Sequence, residues 1–125
     1  MTPFGRRIRE LRTERGVTQR QMAAALGVSP AWLSALEKGN RGRPSWEFLQ
    51  RVIAYFNVIW DDADELVELA RISHPRIIVD TSRLSAEATE LANLVAERIG
   101  ELSADDLNEL IHDLKVRTGR HRRAG

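Results

Sequence analysis

The chain has 125 residues, 30% of them charged, and no cysteine. That length holds one modest core, or a small domain with an appendage, and the lack of cysteine excludes a disulfide framework, a cysteine-ligated metal and a thiol nucleophile. A net charge of +1 conceals a segregation, +6 from Met1 to Val58, −8 from Ile59 to Arg117 and +3 from Thr118 to Gly125, so one end is suited to a polyanion and the middle repels it.

Met1 to Arg12 holds no apolar run of leader or membrane-span length, so a cytoplasmic location without membrane attachment is the expectation. Apolar residues recur at spacings of three and four between glycine and proline marks, an all-helical rhythm. The first helix is expected from about Pro3 to Glu14, with Phe4, Ile8, Leu11 and Arg12 on one side, and Gly16 ends it. Thr18 with Gln21 three residues on is a capping box, which starts a second helix over Gln19 to Leu26. Gly27 stops it in a left-handed turn. Ser29 is the next cap and Pro30 fits the first helical position, so a third helix covers Pro30 to Lys38 and closes at Gly39. A fourth begins after Ser45 with Phe48, Leu49, Val52, Ile53 and Phe56 inward. The fifth, about Asp61 to Ile72, has Asp61, Asp62 and Asp64 at the positive end of its dipole.

After Pro75 the residues Arg76 to Thr81 are β-branched and extended in character, and a short strand is expected there, with Ile77, Ile78 and Val79 available to pair with a second copy. Ser85 caps a sixth helix, about Ala86 to Gly100, whose stripe includes Leu91 and Val95. Ser103 and Asp106 cap a seventh, about Ala104 to Val116, with Leu107 and Ile111 inward. The expected fold is therefore all-α: a five-helix domain over 1–74, a strand and helical hairpin over 75–117, and a disordered basic tail over 118–125.

The stretch Thr18-Gln19, Ala23, Gly27-Val28-Ser29, Leu33-Ser34, Leu36-Glu37, Gly39, Pro44-Ser45 and Leu49 resembles the Xre family, the lambda-repressor-like helix-turn-helix regulators, over about Phe4 to Val58. The resemblance implies sequence-specific binding of double-stranded DNA, with the third helix in the major groove. Bases would be read mainly from Pro30, Ala31, Ser34 and Ala35, with Trp32 counted in the same base-reading set. Gln, Asn and Arg are absent there, so thymine-methyl contacts by Ala31 and Ala35, a hydroxyl contact by Ser34 and groove shape must supply the discrimination. Trp32 either lies on the sugar-phosphate backbone or packs against the rim of the second helix. Gln19, Thr18, Arg20, Ser29, Lys38 and Asn40 are candidate phosphate contacts, and Arg41 and Arg43, in a glycine-bearing loop, are the strongest. Arg6 and Arg9 are second-tier candidates. The resemblance implies that Arg12 and Glu37 form a structural ion pair.

A homodimer on an inverted repeat, with the strand pairing antiparallel to its twin and the two C-terminal helices packing across the axis, and a repressor role follow as expectations; alternatively strand and hairpin simply cap the N-terminal core. The alternative is an antitoxin-like autoregulator whose C-terminal region binds an unidentified protein. Catalysis is not expected: His74, His112 and His121 are scattered without partners at ligand or general-base spacing, and no cofactor or metal site is apparent.

Overall fold

The computed structural model describes residues 1–124, with side chains through Gly119. Among these residues there are seven α-helices and no strand: α1 Pro3–Glu14, α2 Gln19–Leu26, α3 Pro30–Lys38, α4 Trp46–Phe56, α5 Asp61–Arg71, α6 Ala86–Arg98 and α7 Ala104–Ala124, with a 3-10 turn at Ile99–Glu101. None of these helices is long and apolar enough to cross a membrane. The chain divides into two compact units, Met1–Ile77 and Ile78–Gly125.

The first unit has one core to which all five of its helices contribute. Phe4, Ile8 and Leu11 of α1 meet Met22, Ala23 and Leu26 of α2, Leu33 and Leu36 of α3, Phe48, Leu49, Val52 and Phe56 of α4, and Leu66 and Ala70 of α5. The three-and-four spacing of these residues places them on single stripes, and their burial is the main term holding the helices together. Local chemistry sets the ends. Thr2 caps α1 through its hydroxyl to the Gly5 N–H at 3.0 Å, and Ser45 caps α4 through the Phe48 N–H at 3.2 Å. Helix α5 differs, because Trp60 at its cap position makes no side-chain hydrogen bond there and has φ 54°. The three aspartates of its first turn compensate at the same end of the dipole.

In the second unit Ser85 caps α6, accepting from the Ala88 N–H at 3.2 Å. Ser103 and Asp106 exchange 3.1 and 3.2 Å bonds at the start of α7. Helix α7 runs beyond Val116, where the apolar pattern stops, and Thr118 returns its hydroxyl to the Leu114 carbonyl at 2.8 Å. Of the basic tail expected over 118–125, Gly125 and the side chains of 120–124 lie outside the described residues.

The expected strand at Arg76 to Asp80 is a correction: the segment is irregular, with Ile77, Ile78 and Val79 exposed. β-branched composition favours an extended backbone, but a strand also needs a partner for its N–H and C=O groups. Among the described residues no other strand offers one. Instead Asp80 turns the chain, its carboxylate accepting the Ser82 N–H at 2.9 Å, and the Leu84 N–H closes a turn on the Thr81 carbonyl at 2.9 Å.

Candidate nucleic-acid interface

Helices α2 and α3 are joined by three residues, Gly27 to Ser29. The capping box at Thr18 is complete, with Gln21 N–H to the Thr18 hydroxyl at 3.0 Å and Thr18 N–H to the Gln21 amide oxygen at 2.9 Å. Gly27 takes φ 73°, and Val28 N–H closes on the Ala23 carbonyl at 3.0 Å. A left-handed residue is required there, which glycine adopts without a Cβ penalty. Ser29 then accepts the Trp32 N–H at 3.0 Å and opens α3 with Pro30 in its first turn. Arg51 of α4 reinforces the end of α2 by donating to the Leu26 carbonyl at 2.9 Å. Buried Ala23, Leu33 and Leu36 hold the two helices to the core, which leaves the opposite side of α3 outward.

On that side Pro30, Ala31 and Lys38 are exposed and Ser34 and Ala35 are half-buried. Trp32 is half-buried as well. Its ring meets Phe48 edge to face at 4.8 Å between centroids, and the Arg41 guanidinium stands 5.7 Å over it. Its ring partners thus lie on α4 and in the loop that joins α3 to α4.

The carboxylate of Glu37 is fully buried and takes a bidentate fork from Arg12, Nε to Oε2 and Nη2 to Oε1, both at 3.0 Å. Gln19 donates its amide to Oε1 at 3.2 Å, and Arg9 Nε lies 3.5 Å from the same oxygen. Arg12 also donates to the Val17 carbonyl at 3.2 Å. Three residues from α1 and α2 are thereby gathered around one buried charge on α3. Gln19, the candidate phosphate contact at the start of α2, is oriented by this network. Beside it is a shallow hollow lined by Arg9, Arg12, Thr13, Thr18 and Gln19. Arg9, a second-tier candidate from sequence, borders this hollow.

Beyond α3, Gly39 takes φ 85° and Asn40 N–H returns to the Ala35 carbonyl at 2.8 Å. Asn40, Arg41 and Arg43 are exposed, as are Arg20 and Ser29, while Gly42 bends the loop at φ 76°. Two further features have no simple sequence signal. Gly5 in α1 faces the α3 backbone so closely that an added Cβ would lie 2.6 Å from the carbonyl oxygens of both Leu36 and Glu37. The residues leaving α5, His74 to Arg76, line a groove with Arg41 and Gly42.

The model of the family described as "Helix-turn-helix domain" matches residues 3–74. The chain is 30% identical over 119 residues to the HTH-type transcriptional repressor RghR of Bacillus subtilis, covering 90% of this chain and 88% of that protein. It is 37% identical over 62 residues to the uncharacterized HTH-type transcriptional regulator RghRB of the same species, a match covering 50% of this chain and 45% of RghRB. A chain of the solved SinR protein/SinI protein complex is 25% identical, with a TM-score of 0.45 over 93% of this chain and 98% of that one. The capped helix-turn-helix unit, the family match over most of the first unit and the near full-length similarity to RghR agree: this chain belongs to the Xre-type helix-turn-helix family of DNA-binding transcriptional regulators.

Proposed function

We propose that the protein is a sequence-specific repressor that binds an inverted-repeat operator as a homodimer. The observation that supports the docking mode best is the placement of the outward face of α3 between a hollow at the start of α2 and the exposed Arg41 and Arg43 loop. Such a frame presents a helix to base edges while cations and N–H groups hold the phosphates on either side. Similarity to RghR, named a repressor, supports the direction of regulation. Pro30, Ala31, Ser34 and Ala35 read methyl groups and shape, and Trp32 braces the reading helix against α4. Selection of bound fragments from random duplex DNA should return an inverted repeat with half-sites about one helical turn apart. Recovery of no enriched repeat would defeat the specific-regulator reading. Arg41→Gln and Arg43→Gln should each weaken binding about eightfold near 0.1 M salt and lower the salt slope by about one, because one phosphate contact contributes ~0.9 to that slope.

Dimerisation is assigned to α6 and α7. Among the described residues of the second unit none is buried, and Leu91, Val95, Leu110, Ile111 and Leu114 are exposed. Two helices that leave their apolar stripes in water gain stability from a covering surface, and a second copy supplies a self-complementary one. Light scattering should report a dimer for the full chain and a monomer for the double variant Leu91→Asp/Ile111→Asp. A chain already monomeric at micromolar concentration would instead favour a different protein on these helices.

A further inference from the structure

We propose that the segment leaving α5, His74–Arg76, is a second arm of the DNA-binding surface, with Arg76 as a phosphate ligand beside Arg41. This deepens the DNA-binding reading above and rests on it. Arg76 lies two residues beyond the stretch matched by the family model.

The root of the segment is fixed. Ser73 is buried, accepts the Phe4 N–H at 2.9 Å and donates its hydroxyl to the Leu69 carbonyl, so the chain leaves α5 tied to both α1 and α5. Pro75 then restricts the backbone through its ring. Its Cδ lies 3.6 Å from where a Cβ of Gly42 would stand, so the proline ring faces the basic loop at a distance that one added carbon would bridge. The result is a groove with Arg41 and Gly42 on one side and His74 and Arg76 on the other.

The electrostatics of this groove point to a polyanion. Arg41, Arg43 and Arg76 are exposed, and among the described residues none of them is ion-paired. The acidic first turn of α5 stands at the far end of an eleven-residue helix, roughly 16 Å away at 1.5 Å per residue. Cations gathered beside a chain exit that the Ser73 hydrogen bonds tie down repel one another until an anion lies between them. Continuity with the Arg41 and Arg43 loop selects the DNA backbone as that anion. A duplex seated on α3 would then be held along the loop by arginines from two separate segments of the chain.

The test uses the full chain and a labelled mixed-sequence duplex of about 30 bp, with anisotropy titrations across a series of chloride concentrations. Arg76→Gln should weaken binding about eightfold near 0.1 M salt and reduce the salt slope by about one, with Arg76→Lys restoring most of the slope. Arg76→Gln with unchanged affinity and slope, while Arg41→Gln still weakens binding, overturns the second arm and leaves the DNA-binding reading intact. Weaker binding at an unchanged slope also overturns it, since the residue would then act through structure. Failure of the unaltered chain to bind the duplex at low salt would remove both readings together. Inorganic phosphate at matched ionic strength separates the sources of the anion. Displacement of the duplex by phosphate beyond that by chloride, abolished by Arg76→Gln, would make the groove a free-anion site and overturn the proposal.

Discussion

Replacing Arg12 with methionine should destabilise the first unit by about 3 kcal/mol, because breaking a buried ion pair from one side leaves the other charge stranded. The two partners are not equivalent. Glu37 is fully buried, whereas the Arg12 side chain retains 17% of its exposure. With Arg12 gone, Glu37 keeps only the Gln19 amide and the more distant Arg9 guanidinium. Glu37→Gln leaves a guanidinium that can turn toward water and a neutral amide of the same shape, so its cost should be smaller, about 1–2 kcal/mol. The double variant Arg12→Met/Glu37→Leu should recover most of the loss, since no charge is then left in the core.

All three tryptophans, Trp32, Trp46 and Trp60, belong to the first unit. Urea unfolding followed by their fluorescence, at one fixed protein concentration, therefore isolates the stability of that unit from any association through the second. Equal losses for Arg12→Met and Glu37→Gln, or a loss below about 1 kcal/mol for Arg12→Met, would show that the pair is solvated and contributes little. A second readout separates folding from function. Because Glu37 also orients Gln19 at the start of α2, duplex affinity should fall in Glu37→Gln even where the protein is fully folded.

The legible part of this molecule is the part written in local chemistry. Thr18, Ser29, Ser45, Ser85 and Ser103 each announce a helix start through a hydrogen bond to a residue three positions on, and Gly27 and Gly39 announce the stops through positive φ. Apolar spacing then assigns the core faces of α1 to α5. Features that depend on partners distant in the chain are not written this way. The residues around Ile78 have strand composition but no second strand among the described residues, so composition alone misleads. Trp32 finds its place on Phe48, sixteen positions away, because of how α4 crosses α3. The groove at Arg76 brings together two segments more than thirty positions apart, beside an α5 exit that Ser73 ties to the first turn of α1. Glycine inside a helix reads as a weakness, and nothing local says that another backbone lies against it.

That last case yields the second large expected effect, Gly5→Ala. On an exposed helix this substitution would stabilise by roughly 1 kcal/mol, since alanine is the better helix former. Here the sign reverses, because the new Cβ would stand 2.6 Å from two carbonyl oxygens at the end of α3 and 3.0 Å from the Glu37 carbonyl carbon. These are backbone atoms, so no side-chain rotation relieves the clash and the two helices must move apart. Overpacking of this kind costs about 1–3 kcal/mol, and separating α1 from α3 also stretches the fork between Arg12 and Glu37. A net loss of about 2 kcal/mol corresponds to a fall in melting temperature of roughly 8–16 °C for a unit of this size. Gly119→Ala is the internal control: it lies within α7, an added Cβ there meets nothing within 4 Å, and the tryptophan-detected melting of the first unit should be unchanged. If Gly5→Ala melts at or above the parent temperature, α1 does not approach α3 this closely. If it melts lower yet binds duplex DNA with parent affinity once folded, the close contact supports the fold without setting the reading helix. Loss of both together would show that the packing of α1 on the end of α3 is what holds the outward face of α3 at the angle the groove requires.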